Sequence, residues 1–202
     1  MRVLTFGLGA LGTVYSCLLK EMGYEVVGLD RASVIEKIRE KGVRVEGIWG
    51  EHNEHLDKLV TSVAEIENEK FDLVILTVKS YETREVAQQI KSLIGSDTYI
   101  LLAQNGYGNY EAAAEYISAE RIILGRVIFG AETLEWGHSR VTVIADDVLL
   151  GSPNHLINIS ILEKLALIFS QAGIPTRASD EVMQYVWAKI IYNSALNPLG
   201  AI

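Results

Sequence analysis

The chain has 202 residues, of which 49% are hydrophobic and 22% charged, so it is long enough to bury a core as a globular protein. Its formal net charge of −8 at pH 7 argues against a broad nucleic-acid surface, which needs clustered Lys and Arg, so any anionic ligand must be held locally. No apolar run approaches the roughly 20 residues of a membrane span, so we expect no membrane segment. The N-terminus lacks the features of a signal peptide, and the single cysteine is typical of a reducing compartment. We therefore expect a cytoplasmic protein.

The first half of the sequence alternates between β-branched apolar runs and segments with helical periodicity. The apolar runs predict strands over Arg2–Phe6, Glu25–Leu29, Val43–Val45, Phe71–Val78 and Tyr99–Ala103. The segments between them predict helices over Ala10–Met22, Ser33–Lys41 and Tyr81–Ile94. Parallel strands need connections of a dozen or more residues, which helices supply. The alternation therefore predicts an α/β fold with a doubly wound sheet of the Rossmann type.

The second half has a different texture, with short strands in quick succession and then two helices. We predict antiparallel additions to the sheet over Arg121–Phe129, Val141–Ala145 and Val148–Leu150. A helix over Leu156–Ala172 ends at Gly173-Ile-Pro175, and a last helix runs from Ser179-Asp180 to Asn197-Pro198.

The six residues after the first predicted strand have the spacing G-x-G-x-x-G and open the first predicted helix. The spacing alone is weak in a chain with 17 glycines, but the strand–turn–helix context is the one that a dinucleotide-binding loop requires. Glycines there allow a tight turn, close approach of a pyrophosphate and close helix packing, and the helix N-terminus offers free N–H groups. The predicted cofactor-binding residues are Gly7, Leu8, Gly9, Ala10, Leu11 and Gly12.

The end of the second predicted strand carries two opposing signals about the cofactor. Asp30 lies where an acid accepts hydrogen bonds from the adenine ribose, which favours NAD. Arg31 follows it, and an arginine at this turn pairs with a 2′-phosphate, which favours NADP. The residues alone leave the choice between NAD(H) and NADP(H) open.

Polar residues at strand ends are candidates for a ligand site, because ligands of doubly wound sheets lie outside the carboxyl ends of the strands. Lys79 follows the fourth predicted strand, and it is either part of the site or a solvated side chain. Asn105 follows the fifth, and the helix-like sequence after Gly106 argues against a hairpin there. His52 and His55 lack a third partner, so we predict a loop or hairpin and no metal site.

The last predicted helix places three polar side chains on one face. Lys189, Asn193 and Asn197 follow each other at intervals of four residues within an apolar sequence. Amides in such surroundings need partners, which a ligand or inter-domain hydrogen bonds can supply. A lysine in a desolvated pocket loses its proton more readily, so Lys189 is a candidate general acid toward a carbonyl oxygen.

Together, four ordered motifs resemble the 2-dehydropantoate 2-reductase (ketopantoate reductase) family. They are "GLGALG", "LTVKSYET" with Lys79, "LLAQNGYGN" with Asn105, and "VWAKIIYNSALNPLGAI" with Lys189. The resemblance implies a Rossmann domain, here residues 1–178, followed by an all-helical domain that begins at 179–202 and is incomplete. Family members continue further, so the chain resembles a C-terminally truncated member, and a serine and a glutamate from later helices cannot be assigned.

The resemblance also implies an activity and residue roles. The reaction is the NADPH-dependent reduction of 2-dehydropantoate to pantoate, in pantothenate and coenzyme A synthesis. Lys189 then protonates the developing alkoxide, Asn193 and Asn197 hold the substrate, Lys79 and Asn105 lie beside cofactor and substrate, and Arg31 meets the 2′-phosphate.

Two alternatives stay open, together with a possible homodimer formed by the apolar surface of the last helix. One is an NADP(H)-binding module without catalysis. The other is an enzyme of the same fold with different chemistry, either a reductase of a different 2-keto acid or a hydroxyacyl-type dehydrogenase. Such dehydrogenases use a His–Glu pair, and the sequence shows none at strand-end or helix positions, since His138 and His155 are predicted in turns.

Overall fold

A computed structural model describes residues 1–200 of the chain, and side chains as far as residue 195. Its strands, in chain order, are β1 Arg2–Phe6, β2 Glu25–Leu29, β3 Val43–Gly47, β4 His52–Glu54, β5 Lys58–Val60, β6 Leu73–Leu76, β7 Tyr99–Leu102, β8 Ile122–Arg126, β9 Phe129–Glu135, β10 His138–Ile144, β11 Val148–Gly151 and β12 Thr176–Ala178. Its α-helices are α1 Ala10–Glu21, α2 Ala32–Lys41, α3 Thr83–Ile90, α4 Asn109–Ala114, α5 Ile159–Gln171 and α6 Val182–Gly200. No helix in the described part of the chain combines the length and the apolar character that crossing a bilayer requires.

The main sheet has eight strands in the order β12-β11-β8-β7-β6-β1-β2-β5. All neighbouring pairs are parallel except β8 with β11. Successive side chains of β1 enter opposite cores, since Val3 packs on the side of α1 and α5 whereas Leu4 packs on the side of α3. Both faces are thus covered, as a central parallel strand requires, and the predicted α/β Rossmann-type fold is confirmed.

A second sheet of four strands, in the order β4-β3-β10-β9, corrects two predictions. The run Val43–Val45 was predicted in the parallel sheet but belongs to this small sheet, where its buried valines pack against α1. The strand is covered on one face only, as its alternation of buried and exposed residues shows. Val141–Ala145 likewise lies largely in β10, which pairs with β3 and β9 rather than extending the main sheet.

The predicted antiparallel additions are therefore wrong except for β11. The segment Arg121–Phe129 contains β8, which is parallel to β7, and then leaves the main sheet to begin β9. Three short strands were not predicted as such, namely β4, β5 and β12, because each has only three residues. The periodicity of so short a run does not distinguish it from a loop.

Candidate active site

The glycine loop between β1 and α1 has a shape that only glycine permits. Gly7 has φ 97°, which is the left-handed region. A Cβ on Gly12 would lie 1.8 Å from the carbonyl oxygen of Gly7 and 2.7 Å from Oγ1 of Thr77. The hydroxyl of Thr77, directly after β6, donates to the Gly7 carbonyl at 2.5 Å. The loop is thus held closely against the neighbouring strand end.

Gly9, in the middle of the loop, faces open space. A Cβ built there meets no atom within 4 Å among the described residues. Gly9 is also the N-cap of α1, and no described side chain caps that helix end. The first N–H groups of a helix have no intrahelical partner, and the helix dipole attracts negative charge to them. An open approach to uncapped N–H groups fits a pyrophosphate, so the residues present fit a dinucleotide.

The carboxylate of Asp30, after β2, links the glycine loop to the neighbouring turn. It accepts hydrogen bonds from the backbone N–H groups of Leu8 at 2.6 Å and Arg31 at 2.7 Å. The guanidinium of Arg31 lies over the ring of Trp136, with 5.2 Å between its carbon and the ring centroid. The sequence interpretation missed Trp136, because the hairpin of β9 and β10 that carries it belongs to the second sheet.

Lys79 lies just beyond β6, the strand next to β1. It is exposed, and its backbone N–H donates to the carboxylate of Glu82 at 3.0 Å. The structure therefore puts Lys79 at the predicted edge of the sheet, within the turn that precedes α3. Among the described residues, its ammonium forms no hydrogen bond or ion pair with the glycine loop.

Asn105 and Lys189 meet although they are 84 residues apart in sequence. The ammonium of Lys189 donates to the side-chain oxygen of Asn105 at 2.5 Å and also to the carbonyl oxygen of Val127. The hydroxyl of Ser80 donates to the backbone carbonyl of Asn105. A helix, α4, follows the Asn105 turn, as the sequence predicted when it excluded a hairpin. Asn105 thus joins the end of β7 to α6.

Lys189 borders a cavity of about 490 Å³ between the sheet edge and α6. Burial, and secondarily the positive charge of Arg126, lower the pKa of Lys189 to about 8. The direction agrees with the expectation from the apolar sequence around it. The described lining residues are Gln104, Asn105, Gly106, Tyr107, Leu124, Gly125, Arg126, Val186, Lys189, Ile190, Asn193 and Ser194.

Asn193 lies in this lining one turn beyond Lys189, so the structure brings Lys189, Asn105 and Asn193 together. Asn197 falls outside the residues whose side chains are described, and its position relative to the cavity is left to prediction. Arg126 is a lining residue that the sequence interpretation missed. Arg126 is the last residue of β8, which is a parallel strand. Because β8 was predicted as antiparallel, its carboxyl end was not searched for ligand-binding residues.

The histidines have other roles in the fold. The two ring nitrogens of His52 contact the Glu21 carboxylate at 2.6 Å and the Trp49 carbonyl at 3.0 Å. His138 was predicted in a turn, but it begins β10 and lies 2.8 Å from the Glu46 carboxylate. This His–Glu pair bridges two strands of the second sheet and is absent from the described cavity lining. Within residues 1–200, no three His, Cys, Asp or Glu side chains are grouped to hold a metal.

The sequence of this chain matches a known protein family. The family described as "Ketopantoate reductase PanE/ApbA" matches residues 3–155. A curated 2-dehydropantoate 2-reductase of Aquifex aeolicus (strain VF5) is 44% identical over 204 residues, which are 100% of this chain and 63% of that protein. One from Pyrococcus abyssi (strain GE5 / Orsay) is 30% identical and matches 100% of this chain and 64% of its own length. This chain therefore spans slightly less than two thirds of the length of these relatives.

Two solved structures show the same fold. A 2-dehydropantoate 2-reductase from Geobacter metallireducens GS-15 has a TM-score of 0.85 and 32% identity, covering 96% of this chain and 62% of its own. A D-mandelate dehydrogenase in a ternary structure with NADH and anilino(oxo)acetate has a TM-score of 0.87 and 25% identity, covering 98% of this chain and 63% of its own. The D-mandelate dehydrogenase, one of the structures that this chain resembles, thus binds a nicotinamide dinucleotide.

Proposed function

This chain belongs to the ketopantoate reductase PanE/ApbA family, and we propose that it carries the nucleotide-binding part and the proton donor of an NADPH-dependent 2-dehydropantoate 2-reductase. The observation that carries the proposal is the contact of Lys189 with Asn105 beside a cavity at the carboxyl edge of the sheet. A lysine with a pKa of about 8 is poised to give up a proton near neutral pH.

When bound, a reduced nicotinamide would supply the hydride that reduces the keto carbon in the proposed reaction. The electron pair of the C=O double bond moves to the oxygen, and Lys189 donates its Nζ proton to that oxygen, which gives the 2-hydroxy acid. The amide of Asn105, already bonded to Lys189, holds the ammonium in position. Asn193 and Asn197 follow on α6 and bind the substrate.

NADP(H) is the proposed cofactor. Residues 7–12 hold the pyrophosphate, and Lys79 and Asn105 approach the cofactor from the neighbouring strand ends. Arg31 supports the choice of NADP(H), because its side chain is 70% exposed, which leaves it available to a 2′-phosphate. Both carboxylate oxygens of Asp30, the residue that favours NAD, already accept backbone hydrogen bonds that hold the loop. The presence of Asp30 is thus explained without a bond to the ribose of NAD.

The remaining parts of the proposal concern organisation. Residues 1–178 form the dinucleotide-binding domain, and residues 179–202 begin a helical domain. Among the described side chains of α6, three large apolar ones are exposed, namely Trp187, Ile191 and Tyr192. Such a surface favours association, so a homodimer is proposed. The proposed location is the cytoplasm, and the proposed substrate is a small 2-keto acid.

The experiment compares the 202-residue chain with a fusion that joins it to the C-terminal third of the Aquifex aeolicus relative. NADPH binding is measured by fluorescence, and reduction of 2-dehydropantoate by NADPH absorbance. We expect both proteins to bind NADPH, and the fusion to reduce the keto acid much faster, because positioning contributes much of an enzymatic rate. A fusion that binds NADPH but reduces no 2-keto acid would favour a nucleotide-binding module without catalysis.

A second candidate is the reduction of another 2-keto acid. The observation that favours it is the fold match to a D-mandelate dehydrogenase with NADH, at a TM-score of 0.87. A panel of aliphatic and aromatic 2-keto acids, each assayed with NADPH and NADH, separates the two. A higher kcat/KM for an aromatic keto acid with NADH would replace the first proposal by the second.

A further inference from the structure

The cavity beside Lys189 carries positive charge without an acid in its wall. Among its described lining residues, Lys189 and Arg126 are cationic and none is a carboxylate. This is unusual in a chain with a net charge of −8. A concave site lined by one sign of charge concentrates ligands of the opposite sign. The cavity is therefore suited to an anion, although the molecule as a whole is acidic.

Arg126 is anchored, yet some of its hydrogen-bonding capacity is unfilled. Its side chain is 4% exposed, and its NH2 group donates to the carboxylate of Asp146 at 2.8 Å and to the carbonyl of Asp147 at 3.3 Å. The guanidinium also lies over the ring of Tyr185, 5.3 Å from its centroid. Its Nε is buried and finds no acceptor among the described residues. The NH1 group also has no hydrogen-bond partner among the described residues and is not one of the fully buried atoms, so its N–H donors remain for a ligand that enters the cavity.

We propose that Arg126 binds the carboxylate of the substrate and makes the cavity selective for 2-keto acids over neutral ketones. The inference rests on the proposed function, since it assigns Lys189 to the keto oxygen. In a 2-keto acid the carboxylate and the keto group are on adjacent carbons, so two cations lining one cavity match the two groups. Arginine is well suited to this task because its planar N–H donors fit a carboxylate.

Arg177 provides a matched control. It also approaches Asp146, at 4.0 Å, and its guanidinium lies 5.6 Å from the centroid of the same Tyr185 ring. Its side chain, however, is 45% exposed, and it is not among the described residues that line the cavity. Arg126 and Arg177 thus share their structural partners, and they differ in whether they border the cavity.

The first experiment measures binding of 2-dehydropantoate and of its neutral amide to the NADP⁺-saturated chain by NMR titration. We expect Arg126→Met to weaken binding of the acid at least about tenfold and binding of the amide less than about twofold, because only the acid carries the charge that Arg126 pairs with. Arg177→Met should leave both affinities within about twofold of the original chain.

The second experiment follows the titration of Lys189 by carbon-13 NMR of its Cε, with Lys189→Met identifying the resonance. Arg126→Met should raise the pKa of Lys189, since a neighbouring positive charge is removed, whereas Arg177→Met should not. Asp146→Asn should shift the pKa of Lys189 in the opposite direction, and this variant keeps the buried arginine in place. With less compensation of the Arg126 charge, the pKa of Lys189 should fall and the acid should bind more tightly.

The outcomes separate this inference from the proposed function. The assignment of Arg126 is wrong, while the reductase proposal stands, if the chain binds the acid and Arg126→Met either weakens binding of acid and amide equally or changes neither affinity. The same holds if Arg177→Met has the same effect as Arg126→Met. If the original chain binds neither the acid nor the amide, the role of Arg126 fails, whereas the proposed function is judged by whether the fusion reduces 2-dehydropantoate.

Discussion

The glycine loop and the Lys189 cavity lie at the same edge of the main sheet, but they are built in different ways. The loop consists of six consecutive residues whose backbone makes the site, with Thr77 and Asp30 holding it from neighbouring strands. The cavity is made by residues of the turn after β7, of β8 and of α6, and its central contact joins residues 84 apart. The comparison teaches that backbone sites are sensitive to added atoms, whereas side-chain sites are sensitive to lost groups.

The largest effect is expected from removing the lysine. In the fusion defined above, Lys189→Ala should lower kcat/KM for 2-dehydropantoate by about 10²–10⁴-fold, the usual contribution of one general acid. The NADPH affinity should change little, because the glycine loop is a separate site. Asn193→Ala is the control on the same helix face and should act mainly on KM. A fully active Lys189→Ala protein would remove Lys189 from the mechanism.

The next effect is expected from adding one methyl group to the loop. Gly12→Ala should lower the free energy of unfolding by more than about 3 kcal/mol, since its Cβ would lie 1.8 Å from the Gly7 carbonyl. An ordinary glycine-to-alanine change inside a helix is stabilising, so the sign itself is informative.

Gly9→Ala is the matched control in the same loop. A Cβ at this position meets nothing within 4 Å, so stability should change by no more than about 1 kcal/mol. NADPH binding should nevertheless weaken, because the methyl group occupies the approach of the pyrophosphate. Urea unfolding and fluorescence titration check both variants, and equal NADPH affinity in Gly9→Ala and the original chain would contradict the proposed phosphate site.

A smaller effect should distinguish the two cofactors. Arg31→Ala should weaken NADPH binding by about 1.5–3 kcal/mol, the range of a charge-assisted hydrogen bond, and leave NADH binding nearly unchanged. Fluorescence titrations of both nucleotides measure this. If the original chain prefers NADH, Asp30 determines the choice and the assignment of Arg31 is wrong.

The smallest effect is a pH dependence that belongs to the cavity alone. Lys189 must be protonated to donate a proton, and it loses that proton as the pH rises through about 8. The kcat/KM for keto acid reduction by the fusion should therefore fall above that pH, approaching tenfold per pH unit, while oxidation of the hydroxy acid should increase. NADPH affinity measured over the same range is the control, and a profile that is flat from pH 7 to 10 would argue against Lys189 as the acid.

Features that depend on residues close together in the chain were predictable from the sequence alone. The strand β1, the loop at residues 7–12 and the helix α1 follow from local periodicity and glycine spacing, and the alternation of elements predicted the parallel sheet. The face of α6 that carries Lys189 was also readable, because the helical period fixes which residues share a side.

Contacts between distant segments, by contrast, are visible only in the three-dimensional fold. Val43–Val45 and Val141–Ala145 were predicted in the main sheet, but their pairing in a second sheet depends on packing against α1, which no local pattern records. For the same reason, no sequence pattern predicted that Trp136 would lie under Arg31. The charge of the cavity was likewise hidden, because Arg126 and Lys189 come together only when β8 pairs with β7 and α6 packs across the sheet edge.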